Sequence, residues 1–149
     1  MKATELRIEN LITLKSLPNE YQRVMSLNNT EWLDGVKRLW IETDLCEGEL
    51  FDEFEAIPLT EEWLLKFGFV EERTPPLAEH GKFYSKFNYD CKYSLSYAKF
   101  RGDWGFYHSY TDAIKESENN KFDFISCGIK YVHQLQNLFF AITGEELKY

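Results

Sequence analysis

The sequence lacks most of the marks of a familiar chemistry. It has no apolar run near the roughly eighteen residues that a membrane helix needs, and its opening, MKATELRIEN, lacks the apolar core of a secretory leader. The expected location is therefore the cytoplasm, with no membrane partner. Cysteine is scarce: Cys46, Cys91 and Cys127 are odd in number and show no CxxC spacing, which fits free thiols in a reducing compartment and not a disulfide framework. His80, His108 and His133 show no HxH, HxxxH or HExxH spacing, so no metal site is expected. Neither GxGxxG nor GxxxxGKS/T occurs, which excludes the two common glycine-rich phosphate cradles, and no cofactor is expected.

Positive charge is also in short supply. Lys and Arg total 17 against 25 Asp and Glu, a formal net charge of −8. That balance repels duplex nucleic acid and acidic membranes at long range, and suits a basic protein partner.

What the chain does have is material for a core. Apolar residues make up 44% and aromatics 17% of 149 residues, a content that opposes disorder. A chain of this length buries about 68–70% of its unfolded surface without needing a staple. One domain over 1–149 is expected, with a β-rich half and short helix over 1–70 and a strand-rich half over 82–149.

Taken in order, Leu11–Leu14 and Tyr21–Leu27 read as a hairpin with turn chemistry at Leu17-Pro18-Asn19-Glu20. Asp34-Gly35 signals a turn before a strand at Val36–Ile41. Ile57–Phe69 carries complete helix punctuation: Thr60 as cap, Glu61 and Glu62 in the first turn, and Gly68 as the stop. Glu71–Gly81 reads as a proline-containing connection. The second half then alternates as strands, with Phe83, Phe87 and Tyr89 on one face of the first and Lys82, Tyr84 and Lys86 on the other. Arg101-Gly102-Asp103 reads as a turn, and Thr111–Asn120 as a polar loop or a single helical turn.

At the C-terminal end, Leu135, Leu138, Phe139 and Ile142 fall at helical spacing, with Gln134, Gln136 and Asn137 on the other face and Gly144 as the stop. The expected class is α+β, an antiparallel β-meander with the C-terminal helix laid across its apolar face, preceded by a small β-rich half and a short central helix.

Several of these stretches resemble a known family. ELRIENLI at Glu5–Ile12, IPLTEEWLLKFGF at Ile57–Phe69, YSLSY at Tyr93–Tyr97 and YVHQLQNLFFAITGEEL at Tyr131–Leu147 resemble short proteins encoded by phages and mobile elements of gut Bacteroidetes. The resemblance implies an origin in a bacterial host and no catalytic or binding residue. Those proteins usually carry glycine where this chain has Glu9, so a different first turn is expected here.

Two constellations carry candidate chemistry. Between Glu42 and Glu55 the chain has no lysine or arginine, and Glu47, Glu49, Asp52, Glu53 and Glu55 are threaded with Leu50, Phe51 and Phe54. Such a run is either a solvated, aggregation-resistant edge or a docking surface for a basic partner. In the strand-rich half, Lys82, Lys86 and Lys92 interleave with Tyr84 and Tyr97, a pattern that either follows from strand alternation or forms a stacking platform for a small nucleotide. Cys127 and His133 are the one candidate thiolate–imidazole pair. A half-buried cysteine and a histidine at a helix start explain them better, and no catalytic residue is assigned. The expected function is a non-catalytic phage or mobile-element accessory protein that binds a basic host protein and antagonises host defence. The alternatives are a nucleotide-binding sponge and a small enzyme, and an open sheet edge allows a homodimer.

Overall fold

A computed structural model describes residues 1–32, 34–72, 82–88, 91–98, 103–110 and 123–149. The fold is α+β: mostly antiparallel sheet, with two α-helices. The chain divides into two compact units, the first made of Met1–Pro58 with Tyr131–Leu147 and the second of Leu59–Lys130 with Lys148–Tyr149. Relative to the halves expected from sequence, the two helices have changed places: the C-terminal helix groups with the N-terminal strands, and the short helix groups with the later ones.

In the first unit, β1 (Leu11–Leu14), β2 (Leu17–Glu31), β3 (Lys37–Thr43), β4 (Glu49–Leu50) and β5 (Phe54–Glu55) form one sheet in the order β4-β3-β2-β1-β5. β4 and β5 lie at opposite edges, yet only a 3-10 turn at Phe51–Glu53 joins them. An extended chain spans at most about 3.3–3.6 Å per residue, so so short a link requires the sheet to curl until its edges approach. The concave side holds Ile12, Val24, Ile41 and Phe54 with Leu6, and Phe51 and Cys46 pack partly buried against them.

The expected hairpin of β1 and β2 forms, but its turn is Lys15-Ser16 and not Leu17–Glu20. Pro18 is tolerated inside β2 because the register shifts between Thr13 and Leu14, which leaves Pro18–Glu20 as a bulge with no ladder bond to lose. The Thr13 hydroxyl lies 2.9 and 3.0 Å from the carbonyls of Leu17 and Glu20 that the bulge frees. Asp34-Gly35 turns as its chemistry suggests. Gly35 takes φ 73°, and the Asp34 carboxylate accepts the Val36 N–H at 3.0 Å.

Helix α2 (Val132–Thr143) ends at Gly144, in the left-handed conformation, with its N–H donating to Phe140. The buried side is Val132, His133, Leu135, Gln136 and Phe139, whereas Ile142 is exposed and Leu138 only half-buried. Gln136 and Asn137, expected on the solvent face, turn inward because they complete a stretch of backbone. The Gln136 amide accepts from Leu11 N–H at 2.9 Å and donates to the Glu9 carbonyl at 3.2 Å. Asn137 accepts from Asn10 and donates to the Glu5 carbonyl. The side chains of Gln136 and Asn137 thus meet the chain between Glu5 and Leu11, and Glu9 within that stretch takes φ 73°. For a residue with a Cβ that conformation costs about 1–2 kcal/mol, and the bonds to Val24 and Gln136 hold it.

In the second unit, β6 (Val70–Glu72), β7 (Phe83–Asn88), β8 (Cys91–Ala98), β9 (Asp103–Tyr110) and β10 (Asp123–Ile129) form a consecutive antiparallel meander. Glu71 and Glu72, expected in a connection, belong to β6 and pair with β7. Helix α1 (Glu61–Lys66) begins where Thr60 accepts the Trp63 N–H. It closes with the double bond pattern of a Schellman cap, Phe69 N–H to Leu64 and Gly68 N–H to Leu65. Leu95, Phe106 and Trp104 are buried in the meander. The expectations for Arg101-Gly102 and Thr111–Asn120 lie outside the described residues.

Candidate functional site

The acidic segment begins where β3 ends and runs through both edges of the curled sheet. Glu47, Glu49, Asp52, Glu53 and Glu55 are all exposed. Their placement follows from the apolar residues between them: Phe54 is buried in the core and Phe51 packs against it, so the flanking carboxylates must face water. Gly48 fixes the path into β4, with φ 137° and the Trp40 indole directly over it. Five carboxylates elsewhere are paired with cations of the same chain. Glu9 pairs with Arg23, Asp34 with Arg38, Glu61 with Lys82, Glu62 with Lys66 and Glu146 with Arg7. Among the described residues, none of the five acidic-segment carboxylates is held in an ion pair.

Beside this segment lies an open pocket of about 390 Å³ with Lys15, Phe51, Asp52, Phe54, Glu55 and Tyr131 among its walls. The Lys15 ammonium donates to the Asp52 carbonyl there. On its far side the Tyr131 ring stacks on His133, centroids 5.8 Å apart and planes 11° apart. His133 is wholly buried, and neither ring nitrogen has a hydrogen-bond partner. Its Nε2 lies 3.6 Å from the Glu5 carboxylate, beyond hydrogen-bond range.

Burial holds the His133 pKa below its usual 6.5, with the Glu5 carboxylate pulling upward less strongly. The unfolded chain therefore takes up a proton that the native imidazole resists. Stability is expected to be full above pH 6.5 and to decline as the pH falls below it. His133→Leu is expected to remove that part of the slope, and thermal melts across this range that show the same decline in the variant would refute the assignment.

The strand-rich half does not present the expected platform at the residues that are described. Tyr84 is only 2% exposed, with its ring edge-on to Trp104 at 5.9 Å and its hydroxyl donating to Glu61 at 2.7 Å. Lys82 pairs with the same Glu61 carboxylate at 2.9 Å, and Lys86 donates to the Phe67 carbonyl at the end of α1. The platform alternative thus loses Tyr84, Lys82 and Lys86, which are engaged by α1 and the carbonyl at its end. Lys82, then Tyr84, holds the Glu61 carboxyl below the ordinary range, while burial and then Glu61 push the Tyr84 phenol well above its own. The side chains of Lys92 and Tyr97 lie outside those described, as does that of Cys127, so its pairing with His133 has no described geometry.

Sequence reasoning found the acidic segment but missed Lys15 and Tyr131, which stand beside it in the pocket. Neither carried a local signal, since one sits in a hairpin turn and the other caps a helix 76 residues after Glu55. Among the described residues no group of three or more His, Cys, Asp or Glu is placed to hold a metal, and no helix is long and apolar enough to cross a membrane. No protein-family model, curated protein or solved structure matches the chain.

Proposed function

We propose that this chain is a non-catalytic accessory protein of a phage or mobile element that binds a basic host protein through its acidic segment, in opposition to host defence. The observation that carries the reading is the contrast among the carboxylates. Five acids elsewhere, Glu9, Asp34, Glu61, Glu62 and Glu146, pair with cations of the same chain, whereas Glu47, Glu49, Asp52, Glu53 and Glu55, gathered within nine residues, stand exposed without such partners among the described residues. Their field adds to a formal net charge of −8, which steers a basic partner and speeds its docking. The nucleotide reading has less support, because Lys82, Tyr84 and Lys86 are engaged by α1 and its C-terminal carbonyl.

The test is capture of host proteins by the wild-type chain and by a variant carrying Glu47→Gln, Glu49→Gln, Asp52→Asn, Glu53→Gln and Glu55→Gln. Rim charges contribute about 0.2–1 kcal/mol each, so the five changes are expected to weaken binding by roughly 5- to 5,000-fold. Binding should likewise fade between about 0.05 and 0.5 M salt. Recovery of the same basic protein by both chains, or at both salt concentrations, would overturn the reading.

A further inference from the structure

A row of unpaired backbone groups recruits another strand, and sheet edges are ordinarily guarded against this by shortness, charge or bulges. Most edges here are guarded. β4 and β5 are two residues long and carry Glu49 and Glu55, and β6 is three residues long and carries Glu71 and Glu72. β10 has two register shifts along its pairing with β9. The outer half of β2 has no such guard. β1 pairs with β2 only as far as Arg23, and Val24 bonds to Glu9 and Asn10 on that side. From there to Glu31 the outer edge of β2 meets no strand among the described residues, and Asn28, Asn29, Thr30 and Glu31 are exposed. The Trp32 N–H donates to the Val36 carbonyl, and the pairs of β2 and β3 continue in step from there. Alternation along an antiparallel ladder then bonds Asn28 and Thr30 to β3 and turns the N–H and C=O of Leu27, Asn29 and Glu31 outward.

We infer that two copies of this chain join along that edge, β2 against β2 in antiparallel pairing about a two-fold axis at Asn29. Charge selects this occupant. Met25–Thr30 carries no charged residue in a chain that is 28% charged, so the run neither repels its own copy nor offers a basic partner a carboxylate before Glu31. The opposite edge of the same hairpin carries Lys37 and Arg38, which guard it. With the axis at Asn29, Asn29 faces Asn29 of the second copy and each Glu31 faces Leu27, so no two carboxylates stand opposite each other. The three outward residues of each copy then exchange about six main-chain bonds. Met25 and Trp32, 48% and 42% exposed, flank the run, and the two-fold brings the Met25 end of each copy beside the Trp32 end of the other. The hairpin gains support as well. Beyond Trp40 it has no third strand, and a two-stranded ribbon is marginal in water, whereas the joined sheet has four strands there.

The experiment is sedimentation equilibrium of the full chain from about 1 to 500 μM. The mass is expected to rise with concentration from 17.7 kDa to twice that value. Each copy carries a formal −8, so added salt screens their repulsion and should tighten the dimer between about 0.05 and 0.5 M. Capture of a basic partner by the acidic segment has the opposite salt dependence, which keeps the two associations distinct. Asn29→Pro removes an outward N–H and no bond to β3, so it should fold as the wild type does and weaken the dimer by about tenfold or more. Asn29→Lys and Asn29→Asp, at an exposed side chain, each set like charges face to face on the axis. Alone, each should weaken the dimer by about two- to fivefold, and an equal mixture of the two should recover it. That recovery carries the test even if the proline variant melts early. A chain that stays monomeric throughout, a dimer that loosens as salt is added, or a mixture no tighter than its components would overturn the proposal.

Discussion

Replacing Gly48 by alanine is expected to destabilise the protein by about 3–5 kcal/mol, through strain and overlap acting together. Gly48 takes φ 137°, where residues with a Cβ are strained. An added Cβ would stand 1.8 Å from Trp40 Nε1 and within 2.8 Å of two further indole atoms. Neither side can yield cheaply, since Trp40 pairs with Leu50 in the ladder of β3 and β4 and its ring is rigid. Gly35 provides the control: its φ is 73°, but nothing lies within 4 Å of the Cβ position, so Gly35→Ala should lose only the conformational part, about 1–2 kcal/mol. Urea unfolding of the two variants measures the difference, and equal losses would show that the indole contact contributes nothing. Because Gly48 stands between Glu47 and Glu49, its substitution should also disturb the acidic segment before the rest of the fold.

The second large effect is expected at Gln136. Gln136→Leu keeps the bulk in the helix but leaves the Leu11 N–H and the Glu9 carbonyl without the partners they now have at 2.9 and 3.2 Å. Each unmet buried group costs about 1–3 kcal/mol, so the loss should reach about 2–5 kcal/mol. Gln136→Glu should fall between: its carboxylate still accepts from Leu11 but no longer donates to Glu9. A leucine variant as stable as the wild type in urea would show that water replaces the amide on both backbone groups.

The same residue shows where sequence reading stopped. Helix α1 was legible in full, because Thr60, Glu61, Glu62 and Gly68 act within one or two turns and need nothing from elsewhere in the chain. Helix α2 was legible as a helix with its Gly144 stop, but its buried side was read as Leu135, Leu138, Phe139 and Ile142. Hydrophobic spacing assigns polar residues to solvent, and it has no means of knowing that Gln136 and Asn137 would meet unpaired backbone more than a hundred residues earlier. The aromatic and basic strand pattern left two readings open for the opposite reason. Alternation separates two faces of a strand but does not say whether a neighbouring element covers the second, and here α1 covers it. The acidic segment was legible because charge density is a local property, whereas the pocket beside it depends on Lys15 and Tyr131 from opposite ends of the sequence.

The order of segments has a consequence for how the protein is made. The first unit needs residues 1–58 and 131–147, so on the ribosome its strands emerge long before the helix that supplies Gln136 and Asn137. Until the last stretch is translated, the nascent strands wait with the Glu9–Leu11 backbone unmatched, while the whole of the intervening unit is synthesised. A stalled or prematurely terminated message would therefore release a product whose opening strands are complete in sequence and unfinished in hydrogen bonding, a natural target for cellular proteases.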